Sequence, residues 1–292
     1  MKGIILSGGH GTRLFPASKV ISKQMMPIYD KPMIYYPLSV LMLAGIREIL
    51  IITKPEDEEI FKRLMGDGSK LGINISYQVQ KSPDGIAQAF ILGKDFIGDD
   101  CVCLILGDNI YFGNELNKIL NTSAKITKQK NKASILSYYI QNPERYGVIE
   151  FDSQGKAKSI KEKPKNPKSN YVVTGLYFYP NDVIQKAYNL KFSKRGELEI
   201  SSINKMYLRE GRLNVELMGR GFTWLDAGTP DSFIEASLFV QAVEKRQGLK
   251  IACIEEIAFK KGYISKAKLL SQLETMGEVP YNHYLREIIN SN

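Results

Sequence analysis

Apolar and polar positions alternate between two rhythms through the first half of the chain. Residues 4–6, Ile4-Ile5-Leu6, form a short apolar run closed by glycines and predict a buried strand. A helical period over 32–45 stops at Gly45, and 48–53 predicts the next buried strand. Residues 56–65 predict a helix, 73–79 alternate as a strand, and 86–97 predict another helix. A third buried strand, 102–106, ends at Gly107-Asp108-Asn109, and a helix over 114–129 leads to a strand at 133–140. Strands spaced by helices of roughly 10–15 residues imply right-handed crossovers and a mostly parallel sheet.

Beyond about residue 140 the rhythm changes. Residues 146–151 and 157–161 flank Ser153-Gln154-Gly155 and predict a β-hairpin. A strand at 171–179, a helix at 197–210, strands at 215–218 and 222–225, and a long helix at 230–247 follow, with short helical patterns at 265–276 and 281–290. No internal repeat or low-complexity linker divides the chain. The expected fold class is α/β, one elaborated unit over 1–292.

Composition narrows the class. With 292 residues and 43% hydrophobic content, the chain can bury a large core without staples. That excludes a disordered tail or a disulfide-held mini-protein. No window approaches the roughly 18 uninterrupted apolar residues of a membrane span. The apolar start meets Ser7-Gly8-Gly9 too early for a secretory signal. Three cysteines without C-x-x-C suggest a reducing, cytoplasmic setting, with Cys101 and Cys103 expected on one side of a strand in the core. Two histidines, His10 and His283, are too few soft ligands for a structural zinc site.

The formal charge of +9 first suggests nucleic acid or anionic lipid. Lys125, Lys128, Lys130 and Lys132 form one group, read as a solvated surface. Lys156, Lys158, Lys161, Lys163, Lys165 and Lys168 form another, around a region that could handle phosphate. No aromatic residues alternate with these lysines as a base-stacking platform requires, so nucleic acid is not the expected partner, and the lack of an apolar span leaves no membrane expected either.

Candidate chemistry lies at strand ends. Gly8-Gly9-His10-Gly11-Thr12-Arg13 directly follows the first strand, where main-chain N–H groups could surround an anion. It matches neither G-x-G-x-x-G nor the Walker A pattern, and a structural turn is the competing reading. Arg13 at its end and Lys23 ten residues on supply cations suited to a triphosphate. The proline-marked stretch 27–32 suggests a non-helical segment folding back over the loop. Asp108 and Asp226 each follow an apolar run. Either alone could be a turn former; together, near phosphate, two carboxylates suit Mg²⁺, whose remaining ligands come from substrate and water.

Taken with Ser22-Lys23-Gln24, residues 30–34 and Gly107-Asp108-Asn109, these motifs resemble the sugar-1-phosphate nucleotidyltransferases. Supporting runs at 82–89, 143–147, 162–164, 173–177 and 195–200 extend the resemblance over nearly the whole chain, in order. It is most similar to the members that use dTTP and α-D-glucose 1-phosphate. The resemblance implies a Rossmann-like sheet flanked by helices with an inserted sugar-binding subregion, a nucleotide-binding half over about 1–140, a sugar-phosphate and assembly half over about 141–292, and a homotetramer. The implied activity is thymidylyl transfer giving dTDP-glucose and pyrophosphate, the entry to dTDP-rhamnose and related deoxysugars.

Carried over by motif, Gly8, Gly9, Gly11, Thr12 and Arg13 would hold the triphosphate, with Lys23 also on the phosphates. Gln80 and the Pro83-Asp84-Gly85 turn would read thymine, and Asp108 and Asp226 would bind Mg²⁺. Tyr146, Gly147, Glu162, Lys163 and Gly175 would line the sugar-phosphate pocket, with Lys163 on the attacking phosphate. Gly113, Gly219 and Arg220 match a regulatory region of the family, although Asn117 replaces its common histidine; Ser7, His10 and Ala227 are further departures. An attacking phosphate is already ionised at neutral pH, so the reaction needs no general base, which suits a chain with two histidines. Two rivals remain open: a related enzyme using UTP, and a non-catalytic nucleotide-sugar-binding protein. The second would be expected to lack a charged residue of the set, yet Arg13, Lys23, Asp108, Lys163 and Asp226 are all present.

Overall fold

The computed structural model describes residues 1–291. In chain order its strands begin with β1 (Lys2–Ser7), β2 (Pro27–Ile28), β3 (Lys31–Pro32), β4 (Glu48–Thr53), β5 (Asn74–Val79) and β6 (Val102–Leu106). They continue with β7 (Asn109–Gly113), β8 (Ala133–Tyr139), β9 (Gly147–Phe151), β10 (Ala157–Glu162), β11 (Tyr171–Tyr179), β12 (Leu213–Met218) and β13 (Phe222–Asp226). The helices are α1 (Tyr35–Leu43), α2 (Glu58–Met65), α3 (Gln88–Leu92), α4 (Lys94–Ile97), α5 (Leu116–Lys130) and α6 (Val183–Tyr188), then α7 (Ile200–Arg209), α8 (Pro230–Gln247), α9 (Ile254–Lys260), α10 (Lys266–Glu274) and α11 (Pro280–Asn290).

Strand order across the main sheet is β10-β9-β11-β6-β1-β4-β5, with β8 pairing β11 and β12 pairing β8. From β6 through β5 every pairing is parallel, with Ile5 opposite both Ile51 and Ile105. The mostly parallel expectation describes this half. At β11 the sheet turns antiparallel: its C-terminal half lies against β6, Val172 pairs with Val148 of β9, and its other edge follows β8.

Side-chain alternation divides the core into layers. Ile4, Leu50, Ile52, Val102 and Leu104 face Phe90, Ile97, Val183, Ile203 and Tyr207, from α3, α4, α6 and α7. Ile5, Ile49, Ile51, Cys103 and Ile105 face α1, α2, α5 and the C-terminal helices. Both faces are therefore covered, which explains why the central strands read as continuous apolar runs.

Several expectations change in detail. The helix expected over 32–45 is shortened because Lys31–Pro32 pairs with Pro27–Ile28 as a small hairpin. The helix expected over 86–97 is interrupted at Gly93, which packs closely on the sheet: a Cβ there would lie 2.9 Å from Ile4 Cδ1. Cys103 is buried within β6, but Cys101 precedes the strand and is partly exposed, so the two do not share one buried face. β7, α6 and α9 were not anticipated.

The chain steps from β1 outward to β4 and β5, then returns to place β6 on the other side of β1. Ligands of open α/β sheets bind beyond the carboxyl ends of the strands at such a switch. The loop after β1 carries Gly8 to Arg13, and the turn after β6 carries Asp108. Their adjacency is a consequence of topology.

Candidate active site

Beyond the switch point lies a cavity of about 510 Å³, within the range of small-ligand sites. Arg13, Asp108, Tyr146, Gly147, Glu162, Lys163, Gly175 and Asp226 all line it. Every residue expected in the sugar-phosphate pocket thus lines one cavity, and both expected metal ligands line it too.

The two aspartates come from adjoining elements. Asp108 immediately precedes β7, and Asp226 ends β13, its register partner being Asn109. The Ala227 N–H donates to the Asp108 carbonyl at 3.1 Å, tying the two ends together. After Asp226, Thr229 caps α8 reciprocally with Ser232 and Pro230 occupies the first turn, which fixes where that loop leaves the site.

Their electrostatics differ. Burial pushes the Asp108 carboxyl up, but the Lys23 ammonium and hydrogen bonds from Lys23 and Asn109 outweigh burial and hold it below its ordinary value. Asp226 is raised, first by burial and then by the negative charge of Asp108, against the pull of Lys23, Arg13 and Arg145. One carboxylate thus makes the other harder to ionise, a strain that a bound cation relieves. Among the described residues no third histidine, cysteine, aspartate or glutamate completes a cluster with them. Two hard oxygen donors beside a substrate cavity fit a divalent cation that takes its other ligands from substrate and water.

Lys163 has φ 40°, a left-handed conformation uncommon for a side chain of this size, and its N–H donates to the Tyr146 carbonyl at 3.0 Å. The hairpin β9–β10 thereby delivers Lys163 and Glu162 to one rim. Tyr146 packs edge-on to Trp224, ring centroids 5.2 Å apart, and its hydroxyl donates to Asp226 at 3.4 Å. Burial and the Asp226 charge push the Tyr146 phenol up to about 12, so it remains a proton donor at neutral pH.

The expected nucleotide residues lie beside this cavity and, Arg13 excepted, do not line it. Gly8 is pressed against Gln80: a Cβ at Gly8 would fall 1.9 Å from Gln80 Oε1, so any larger residue there would displace the Gln80 amide. Gly9 and Thr12 are exposed, Gly11 is half-buried, and the loop then tightens into a 3₁₀ turn at Thr12–Leu14. Lys23 is bonded to Asp108. The turn Pro83-Asp84-Gly85 docks on Leu198, whose N–H donates to the Asp84 carbonyl at 2.6 Å. Gly85 has φ 111° there, and a Cβ would lie 2.6 Å from the Leu198 backbone. Gln80 is 4% exposed and its amide donates to Gln88. Ile86, next to Gly85, reaches the cavity wall.

Of the regulatory set, Gly113 borders a second cavity of about 350 Å³ that Asn117 also lines. Gly219 and Arg220 lie in the β12–β13 turn, outside that lining but near Gly113, because Phe222 is its register partner.

Sequence reading missed Asn109, Arg145, Tyr177, Ser201, Asn204 and Trp224, all of which line the main cavity. Arg145 and Trp224 stood within quoted runs and could have been found as the cation before Tyr146 and the lone tryptophan before Asp226. Asn109 is the hub of the wall: its Oδ1 accepts from Trp224 Nε1 at 2.6 Å and Gly175 N–H at 3.1 Å, while its Nδ2 donates to Asp108 at 2.9 Å.

Comparison with known proteins gives one answer by several routes. A family model described as nucleotidyl transferase matches residues 2–243. A glucose-1-phosphate thymidylyltransferase of Neisseria meningitidis serogroup A is 56% identical, covering 99% of each chain. Its counterpart in Mycobacterium tuberculosis is 51% identical over 100% of both. Among solved structures, UDP-glucose pyrophosphorylase with UDP-glucose has TM-score 0.71 and 26% identity, covering 84% of this chain and 99% of that one.

Proposed function

The chain belongs to the nucleotidyl transferase family, and from that premise we propose that it transfers a thymidylyl group from dTTP to α-D-glucose 1-phosphate, giving dTDP-glucose and pyrophosphate. The observation that carries this reading is the convergence of Arg13, Lys163, Asp108 and Asp226 on one cavity at the sheet's switch point. Bringing two polyanions together is the obstacle, and a site lined by Arg13, Arg145 and Lys163 meets it by positioning and charge. A phosphate oxygen of the sugar attacks the α-phosphorus, a new P–O bond forms, and the bond to pyrophosphate breaks. Lys163 steadies the attacking phosphate, and Arg13 with the Gly8 to Thr12 backbone takes the charge of the leaving pyrophosphate. Mg²⁺ held by Asp108 and Asp226 would neutralise phosphate charge as a Lewis acid. Gln80 and the Pro83-Asp84-Gly85 turn read the base, and Tyr146, Gly147, Glu162 and Gly175 receive the sugar.

The whole of 1–292 acts as one catalytic unit in the cytoplasm, at the entry to dTDP-rhamnose and related deoxysugars. The described residues hold no helix long and apolar enough to cross a membrane, and their three cysteines are free, which suits that setting. A homotetramer would cover the apolar positions Ile234 and Leu238, which α8 presents one turn apart, 57% and 59% exposed. Feedback control would act at Gly113, Gly219 and Arg220, beside the second cavity.

Thymine differs from uracil by one methyl, worth about 1–3 kcal/mol in a pocket, so the choice against UTP is one of degree. A pyrophosphate-release assay over four nucleotides and several sugar 1-phosphates tests the proposal. Release that requires both dTTP and glucose 1-phosphate supports it. Binding without release, or release fastest with UTP, overturns it.

A further inference from the structure

Two polar atoms of the main cavity's wall are buried without a hydrogen-bond partner among the described residues: Ser201 Oγ and Asn204 Nδ2. Both stand on α7 three residues apart and so share one face of the helix. Asn204 is 1% exposed, and an amide N–H hidden from water and left unpaired is costly enough that native structures rarely keep one without a use.

The orientation of that amide is determined by what lies behind it. Tyr179 is fully buried, and its hydroxyl donates to Asn204 Oδ1. A buried phenol must place its proton, and doing so on Oδ1 fixes the amide orientation and leaves the NH₂ group as the unpaired donor of a residue that lines the cavity. Tyr179 is itself immobilised. It stacks on Tyr177 and Tyr207 at centroid distances of 6.1 and 5.5 Å, and Phe90 meets it edge-on at 5.3 Å. Asn204 is therefore a donor held on rigid support, as recognition of a defined atom requires.

The chemistry of the wall says what that atom is. Phosphate oxygens would go to the cations Lys163 and Arg145, which line the same cavity. A neutral amide donor set among Ile86, Ile200 and the Ser201 hydroxyl suits a neutral acceptor. We propose that Asn204, aimed by Tyr179, is a specificity-determining residue that donates a hydrogen bond from Nδ2 to one hydroxyl of the hexose 1-phosphate. The inference rests on the function proposed above, and it adds a reason for the site to select a sugar by the presence of one particular hydroxyl.

The test compares glucose 1-phosphate with its 2-, 3-, 4- and 6-deoxy analogues in the wild-type chain and in Asn204→Asp. The aspartate keeps the acceptor for Tyr179 and the shape of the side chain but removes the donor. In the wild type one deoxy analogue should lose about 10- to 100-fold in kcat/KM, the scale of one buried neutral hydrogen bond and the partner it strands. In Asn204→Asp that discrimination should collapse at the same hydroxyl, with dTTP affinity by calorimetry unchanged. An intact discrimination in the variant means that water satisfies the amide and overturns the proposal, as does a loss of dTTP affinity. Should the variant fail to fold, the wild-type series still decides, because equal kcat/KM for all four analogues refutes a hydroxyl-reading donor. A wild-type protein that releases no pyrophosphate from dTTP and glucose 1-phosphate refutes the function itself, which is a different result.

Discussion

Replacing Asn109 separates what holds the site together from what reacts in it. Asn109 is 2% exposed and one oxygen of its amide serves two close buried donors, the Trp224 indole and the Gly175 main chain, with the Tyr111 hydroxyl a third at 3.5 Å, the limit of a hydrogen bond. In Asn109→Ala both close donors lose their acceptor. A stranded buried donor costs about 1–3 kcal/mol, so the pair sets an upper figure of roughly 2–6 kcal/mol. Asn109, Gly175 and Trp224 all face the cavity, however, so water can reach the vacated space and replace much of what is lost. The lower end, about 2 kcal/mol, is therefore expected. For a chain of 292 residues that corresponds to a fall in melting temperature of roughly 3 °C. Thermal and urea unfolding measure it. Asn109→Asp tests the other half of the amide: it keeps an acceptor for Trp224 and Gly175 but replaces the donor to Asp108 with a second negative charge. That variant should retain most of the stability yet lose turnover at least 100-fold, because a new carboxylate beside Asp108 raises that group toward its protonated form. An Asn109→Ala protein that unfolds within 0.5 kcal/mol of wild type, or an Asn109→Asp protein of normal kcat, would refute the hub.

Three further outcomes follow from the proposed roles. Asp108→Asn should reduce Mg²⁺-dependent turnover by several hundredfold or more, and a near-normal kcat across a Mg²⁺ titration would remove Asp108 from the mechanism. Lys163→Ala should raise KM for the sugar phosphate while leaving dTTP binding largely intact; calorimetry showing lost dTTP affinity instead would exchange the roles of Lys163 and Lys23. Gln80→Ala should cut discrimination among bases, read as the ratio of kcat/KM for dTTP and CTP, and an unchanged ratio would refute base reading by Gln80.

What could be read from the sequence was what the chain determines locally. The buried strands at 4–6, 48–53 and 102–106 stood out because helices cover both faces of the sheet, which makes their apolar runs continuous. The loops at their carboxyl ends then pointed to the site, since parallel strands carry those ends to one edge. β7 was missed for the opposite reason. Asn109–Gly113 is short, begins with a polar residue, and owes its strand conformation to β13, more than a hundred residues away. No local period records that pairing.

The same division runs through the site. Asp108 and Asp226 were legible as candidates because a charge at the end of an apolar run has little structural purpose of its own, Arg13 and Lys23 because they follow a glycine-rich loop, and Lys163 through its lysine group and the family resemblance. Asn109, Ser201 and Asn204 were not, because a neutral polar residue becomes informative only when its partners are known. Asn204 lies on an amphipathic helix, where sequence alone would assign it to the solvated side; α7 is instead turned so that this face closes the cavity and Tyr179 takes one end of the amide. Charge, which dominates binding of two phosphate substrates, was therefore visible in one dimension. The neutral contact proposed to distinguish one sugar from another depends on the meeting of Tyr179 in β11 with Asn204 in α7, and it exists only once the sheet has closed around it.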